Sequence, residues 1–311
     1  MLIRLGTRQS TLALWQAKYV SNSLRHHGHA VELVKITTSG DVSTTPLGES
    51  GGQGVFTKEI QRALLDRRCD LAVHSLKDLP TEIFPELSLV AIPPREDTAD
   101  CLISRGMKLG ELPVGAIIGT GSPRRKASLL HVRPDLNILD IRGNVDTRLR
   151  KLDEGHYDAI VLAFAGLNRL GLASRITQKF ASNEMLSAVG QGALGLETRS
   201  DDLNTIAAVE ALDDCETHSA AVAERALLRS MRAGCLAPLS AYAWLAQGRL
   251  RLIARVYSPD GQQMIAVEHS AAWDSDIPKS ECYLKAEILG IEAAAMLTDQ
   301  GAGRLIHEAH Q

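Results

Sequence analysis

Three segments of the chain share one arrangement: a strand-like run ends, a small residue turns the backbone, and an arginine stands where the next helix begins. They are Gly6-Thr7-Arg8-Gln9-Ser10, Gly119-Thr120-Gly121-Ser122-Pro123-Arg124-Arg125 and Arg142-Gly143-Asn144-Val145-Asp146-Thr147-Arg148. The first turn of a helix has unpaired N–H groups and a partial positive charge, so anions bind there. Gly, Ser and Thr permit close backbone approach, and Arg offers a planar fork that matches a carboxylate with two hydrogen bonds. Ser122-Pro123 is a favoured helix start. A single arginine at such a place is ordinarily a surface residue, and the helix dipole favours acids there. Three on a chain of formal net charge −3 point to a ligand with several carboxylates, with a phosphate fitting nearly as well. The GxxxxGK[ST] loop is absent, which weighs against a nucleoside triphosphate.

Three further features could do chemistry. In His74-Ser75-Leu76-Lys77-Asp78-Leu79-Pro80 an ammonium and a carboxylate stand side by side just past the strand-like Leu71-Ala72-Val73, where α/β sheets place their sites. Asp78 there could donate a proton or stabilise a cation, with Lys77 tuning it; the plainer reading is a solvated loop with an incidental ion pair. In Arg232-Ala233-Gly234-Cys235-Leu236-Ala237-Pro238 a thiol follows a basic helix end, a setting that favours thiolate, although cysteine is more often a small buried hydrophobe. Gly40 to Gly54 is rich in Gly, Ser and Thr and reads as a long loop, either a lid or an insertion without a role.

These groups need elements to position them. The 311 residues suggest two or three domains, and a hydrophobic fraction of 45% is enough for real cores. Aromatics are only 4%, so Leu, Val, Ile and Ala carry the packing. Strand-like Leu2 to Leu5, Val31 to Thr37, Leu71 to His74 and Leu87 to Ile92 alternate with helical Ser10 to His26 and Thr57 to Arg67. This is an α/β pattern with a largely parallel sheet. After Pro93-Pro94 a second α/β pattern follows: strands at Cys101 to Ser104, Ala116 to Gly119, Ile138 to Ile141 and Ala159 to Ala163, with helices at Arg124 to Val132, Val145 to Asp153 and Leu167 to Leu170. An apolar stretch at Ala193 to Glu197 precedes helices through Ile206 to Leu212 and Ser219 to Arg232. The tail, with strands at Leu239 to Leu245, Leu250 to Val256 and Met264 to His269 and a helix over Cys282 to Asp299, reads as a small α+β domain. Periodicity leaves open whether the piece after residue 190 returns to the first sheet. The five cysteines form no CxxC pair and no zinc spacing with His. The start MLIRLGTRQS is too polar for a secretory signal and no apolar run is long enough to span a bilayer, so a cytoplasmic protein is expected, with no nucleic-acid or membrane partner.

In order along the chain stand GTRQSTLALWQA, Phe56-Thr57-Lys58-Glu59, AVHSLKDLP, REDTAD, GTGSPRRK, DIRGNVDTRL, YDAIVLAFAGLNRLGL, AVGQGALGLE and ERALLRSMRAGCLAP. On these motifs the sequence resembles the porphobilinogen deaminase family over roughly residues 2–245. The resemblance implies a transferase that joins four porphobilinogen molecules head to tail, releasing ammonia each time, to give hydroxymethylbilane. It implies a dipyrromethane cofactor bound covalently to Cys235, and Asp78 as the acid–base residue. It further implies Lys77, Ser75, Arg124, Arg125, Arg142 and Arg148 around the cofactor, and Arg8, Ser10, Arg95, Arg142, Arg148, Arg175 and Phe56 around the substrate. The implied fold is α/β with three domains, the first two resembling type II periplasmic binding proteins and the third a small α+β domain. The corresponding spans are 1–93 with 193–212, 99–187, and 215–311, in a monomer. Many members carry Gly-Gly-Lys where this chain has Gly51-Gly52-Gln53, and Glu49 stands at an often basic position, so any lid contribution is expected from Phe56 and Lys58. The competing class is a non-catalytic small-dicarboxylate binding or sensor protein of the same clamp fold, which would need neither Cys235 nor Asp78.

Overall fold

The structure, a computed structural model, describes residues 1–37, 57–82, 84–234, 237–274 and 276–309. Phe56 and the Gly40 to Gly54 loop, with Glu49 and Gln53, lie outside the described residues. In chain order the elements begin with β1 (Leu2–Thr7), α1 (Thr11–His26), β2 (Ala30–Lys35), α2 (Lys58–Leu65), β3 (Leu71–Ser75) and β4 (Leu87–Ala91). Next come β5 (Asp100–Ser104), β6 (Ile117–Gly119), α3 (Pro123–Val132), β7 (Asn137–Leu139), α4 (Val145–Asp153), β8 (Ala159–Ala163), α5 (Phe164–Arg169) and β9 (Gln178–Lys179). The chain ends with β10 (Leu194–Arg199), α6 (Leu203–Val209), α7 (Cys215–Ser230), β11 (Leu239–Ala246), β12 (Arg249–Tyr257), β13 (Met264–Ala272), α8 (Lys279–Asp299) and α9 (Ala302–Ala309). No helix among the described residues is long and apolar enough to cross a membrane.

The chain divides into two units. The first comprises Met1–Glu96 and Gly192–His218. Its sheet has the order β2-β1-β3-β10-β4, with β1 parallel to β2 and β3, and β10 antiparallel to β3 and β4. Helix α1 starts where Ser10 accepts a hydrogen bond from the Ala13 N–H, and it buries Ala13, Ala17, Val20 and Leu24 at helical spacing. Ala17, Val20 and Leu24 pack with Ile3, Leu5, Leu71 and Leu196 of the sheet; each fully buried Leu, Ile or Val contributes roughly 1.5–3 kcal/mol.

The second unit comprises Asp97–Gln191 and Ser219–Gln311. Its first sheet, β7-β6-β8-β5-β9, repeats the strand order of the first unit: β6 is parallel to β7 and β8, and β5 runs antiparallel to β8 and β9. In each sheet the reversed strand, β10 or β5, occupies the fourth place. The piece after residue 190 therefore does supply a strand to the first sheet, the point periodicity left open. The remaining sheet, β11-β12-β13, is an antiparallel meander whose Ala241, Ala243, Leu252 and Ala254 share a core with Leu289, Ala293 and Leu297 of α8.

Two elements escape the sequence reading. The two-residue β9 is too short for any periodicity to register, and α9 lacks a strong start signal. Helix α5 begins at Phe164, three residues before the expected Leu167, because the chain turns into helix directly from β8 without a capping side chain.

Candidate active site

In the first unit the expected residues gather at the C-terminal edge of the parallel strands. β1 ends at Thr7, whose Oγ1 donates to the Ala13 carbonyl at 3.1 Å, so Arg8 and Ser10 sit in the tight passage from β1 to α1. The first turn of α1 contains no acid, leaving its partial positive charge uncompensated by the helix's own side chains. On the neighbouring strand β3, Ser75 is followed by a single 3₁₀ turn, Leu76–Asp78. What reads as a loop in the sequence is thus a short ordered helix. The Gln16 amide of α1 donates to Ser75 Oγ at 2.8 Å, tying the helix to the end of β3. Lys77 and Asp78 are half-buried, and the Asp78 carboxylate has no hydrogen-bond or ion-pair partner among the described residues. Leu76 and Leu79, which flank them, are buried. Arg95, half-buried, follows β4 at the same edge.

In the second unit the corresponding edge belongs to β6 and β7. Ser122 caps α3 by accepting from the Arg125 N–H at 3.4 Å, Pro123 occupies the first turn, and that turn too lacks an acid. Arg142 and Arg148 are half-buried at the start of α4. Asp140 Oδ2 accepts from Arg142 Nε at 3.2 Å, Tyr157 Oη donates to the Asp140 carbonyl at 2.7 Å, and Arg148 Nε donates to the Gly143 carbonyl at 2.7 Å. The two loops touch at Gly121: a Cβ there would lie 2.6 Å from Asp140 Oδ1 and 3.2 Å from the Ile141 carbonyl oxygen, so any larger residue would have to push the Asp140 carboxylate aside.

Arg124 and Arg125 are not surface residues. They are 4% and 6% exposed and converge on Asp100, which is 0% exposed. Arg124 Nη2 and Arg125 Nη2 each reach an Asp100 oxygen at 2.6 Å, and Arg125 Nε and Gln191 Nε2 complete its shell at 3.0 and 2.9 Å. Arg124 Nη1 and Arg125 Nη1 donate to the Leu186 and Val161 carbonyls at 2.7 and 3.0 Å. Burial by itself raises the Asp100 carboxyl, but the two guanidinium charges and the hydrogen bonds of Arg125 and Gln191 outweigh it and hold it well below the usual carboxylate range. Burial draws the Arg124 guanidinium below its ordinary value, Asp100 opposing, yet an arginine stays protonated throughout. Two cations share one carboxylate, so the cluster keeps an excess positive charge beneath the start of α3. The Nε of Arg124 is buried without a partner among the described residues.

Arg175 is the exception to the clustering. It closes the 3₁₀ turn before β9, at the N-terminal edge of the sheet, and its Nη2 pairs with Asp153 Oδ1 at 2.6 Å at the far end of α4. Its guanidinium is thus committed to the last residue of α4 instead of to the loop that carries Arg142. Cys235 lies outside the described residues. Of the described cysteines, Cys69, Cys101 and Cys282 are buried; burial pushes the Cys69 and Cys101 thiols up to about 11 and about 12 and leaves them inert near neutral pH.

Sequence reasoning did not single out Asp100, Gln191, Gln16, Asp140 or Glu197. The one available signal was the acid in the REDTAD segment at the start of an apolar strand, since a buried carboxylate requires cationic partners.

The family model described as "Porphobilinogen deaminase, dipyromethane cofactor binding domain" matches residues 3–207, and "Porphobilinogen deaminase, C-terminal domain" matches residues 219–299. The chain is 46% identical over 308 residues to the curated porphobilinogen deaminase of Syntrophotalea carbinolica, covering 98% of this chain and 95% of that one. Among solved structures, a periplasmic VFT2 domain of Bordetella pertussis BvgS aligns with a TM-score of 0.43 at 13% identity, covering 67% of this chain and 85% of that one. The periplasmic sulfonate-binding protein SsuA, a putative transporter component from Methylobacillus flagellatus, aligns with a TM-score of 0.38 at 16% identity, covering 75% and 68%.

Proposed function

The chain belongs to the porphobilinogen deaminase family, and from that premise we propose a transferase that condenses four porphobilinogen molecules head to tail into hydroxymethylbilane, with Asp78 as its acid–base residue and Cys235 as the anchor of its dipyrromethane cofactor. The carrying observation is the family match along nearly the whole chain. The geometry within each unit is in keeping with it: in the first, a half-buried carboxylate without a partner among the described residues shares a sheet edge with the acid-free start of α1, and in the second, the acid-free start of α3 shares its edge with half-buried arginines.

The residues present fit the cofactor. A dipyrromethane is a polycarboxylate, and each unit presents cationic donors: Lys77 in the first, and the capped start of α3, Arg142, Arg148 and the Asp100 cluster with its excess charge in the second. Lys77, Ser75, Arg124, Arg125, Arg142 and Arg148 would hold it, with Cys235 supplying the thioether. Arg124 and Arg125 act chiefly through charge, since their guanidiniums are committed to Asp100. When bound, the cofactor supplies the nucleophilic pyrrole carbon and a fixed attachment point for the growing chain.

Each turn of the cycle breaks the aminomethyl C–N bond of one porphobilinogen. The nitrogen leaves with the bonding pair and a proton as ammonia, which generates an electron-poor azafulvene from the substrate. The Asp78 carboxylate stabilises that cationic pyrrole and takes up the proton displaced when the new C–C bond forms. Arg8, Ser10, Arg95, Arg142 and Arg148 bind acetate and propionate groups. Arg175 and Phe56 complete the substrate set implied by the resemblance; the Asp153 pair gives Arg175 the weakest claim. The division 1–93 with 193–212, 99–187 and 215–311, a cytoplasmic setting, a monomeric state and the lack of a nucleic-acid partner belong to the same reading.

The test is intact-protein mass spectrometry before and after incubation with porphobilinogen. A two-pyrrole mass on the wild type, absent from Cys235→Ser, with ammonia released in step with substrate use, is the expected result. A wild-type protein that neither gains pyrrole mass nor consumes porphobilinogen would refute the reading.

A further inference from the structure

The Asp78 turn is held from one side by a single strand. Leu76 N–H donates to the Ala193 carbonyl at 3.0 Å, just before β10, and Leu79 N–H closes the turn onto the Leu76 carbonyl at 3.1 Å. Two residues further on, Gly195 receives the flanking leucines: a Cβ on it would lie 3.1 Å from Leu76 Cδ1, 3.8 Å from Leu79 Cδ2 and 3.0 Å from Leu89 Cδ1. Two residues beyond that, Glu197 Oε2 meets His74 Nε2 at 3.0 Å, and Glu197 Oε1 accepts from Gln61 Nε2 of α2 at 3.0 Å. Gly195 and Glu197 lie on one face of β10, because side chains alternate along a strand. The register pairs Gly195 with His74 and Glu197 with Ala72.

His74, Glu197 and Gln61 are 4%, 5% and 7% exposed, and Leu76 and Leu79 are 1% and 4% exposed. Interior groups such as these cannot touch a ligand. A carboxylate buried with a histidine and an amide is an expensive way to pack a sheet unless it fixes something. What it fixes is the last full residue of β3 before Ser75, four positions ahead of Asp78. We infer that Gly195 and Glu197 are positioning residues for Asp78: Gly195 sets the depth of the turn through Leu76, and Glu197 locks the strand that feeds it through His74. The inference rests on the reading of Asp78 given under Proposed function.

The probe is Gly195→Ala. Its methyl would lie 3.0 Å from the Leu89 methyl and 3.1 Å from the Leu76 methyl, so these side chains must give by a few tenths of an ångström, and on this inference Leu76 passes the shift to the turn. Misplacement by 1 Å can cost about 100-fold in rate, so a shift of this size should lower kcat about 5- to 10-fold while KM stays within about twofold. Glu197→Gln should show the same split, and it is the variant to read if Gly195→Ala does not fold. Single-turnover addition of one pyrrole, followed by quenching and intact mass, is then compared in wild-type and Asp78→Asn backgrounds. A residue acting through Asp78 should slow the Asp78→Asn protein by less than about twofold, whereas an independent structural defect would carry over in full. Both variants should still carry the two-pyrrole mass, a readout separate from turnover. Unchanged kcat in a folded variant, a change in KM alone, or the same fractional loss in both backgrounds would overturn the inference. Failure of the wild type to consume porphobilinogen would instead overturn the functional reading, before any variant is made.

Discussion

Replacing Asp100 by Asn keeps the shape of the side chain and removes its charge. In the wild type four donors converge on this carboxylate, three of them from guanidiniums, at 2.6 to 3.0 Å and with no solvent exposure. The variant leaves Arg124 and Arg125 facing each other in the interior with no counter-charge. Breaking a buried ion pair from one side costs about 3–5 kcal/mol. For a body of about 150–250 residues each kcal/mol shifts the melting temperature by about 2–4 °C, so Asp100→Asn should lower it by about 6–20 °C. The effect must also depend on pH. The folded-state pKa of Asp100 lies well below its unfolded value of about 3.9, so between the two the unfolded chain binds the extra proton. The stabilisation is therefore complete above about pH 4 to 5 and is lost as pH falls. Calorimetric melts of both proteins at neutral pH and at several values below pH 4 test this: the gap between them should be widest near neutrality and narrow in acid. A melting temperature changed by less than about 2 °C at neutral pH, or a gap that does not narrow in acid, would refute the assignment of Asp100 as the charge that holds the two arginines.

Two further outcomes are expected. Asp78→Asn should retain the two-pyrrole mass yet lose turnover by about 100-fold or more, the lower range of what a general acid–base contributes; near-normal rates in a steady-state assay would exclude the role. Arg142→Leu should stay folded, because its side chain is half-buried and its ion-pair partner Asp140 is solvent-accessible, but it should raise KM or stall chain growth at a partial pyrrole count in the mass spectrum. Unchanged kinetics with a normal product would remove Arg142 from the carboxylate-binding set.

Much of the candidate site was legible because its signals are local. Ser10 and Ser122 mark the starts of α1 and α3, and the helices follow them within a residue or two, since a capping side chain answers to the N–H groups three residues on. The alternation of strands and helices announced two α/β sheets, and the loops after β1, β3, β6 and β7 fell at the C-terminal edges where such sheets place their chemistry. The order of the motifs carried the family, now matched along nearly the whole chain.

The tertiary structure decided what depends on contacts between distant residues. Arg124 and Arg125 looked like ligand-facing cations in the sequence; folding turns their forks inward onto an aspartate 24 and 25 positions away, because a buried carboxylate at the start of β5 has to be neutralised by whatever the neighbouring helix start presents. Arg175 reads like the other arginines, but it precedes its strand instead of following one, and so lies at the opposite edge of the sheet. Glu197 is 123 residues from His74, and no spacing rule connects them; only the insertion of β10 between β3 and β4 brings the pair together and sets the Asp78 turn against Gly195. Local sequence fixes which residues begin a helix or line a strand, whereas the partners that bury, charge and aim those residues are chosen by the pairing of strands far apart in the chain.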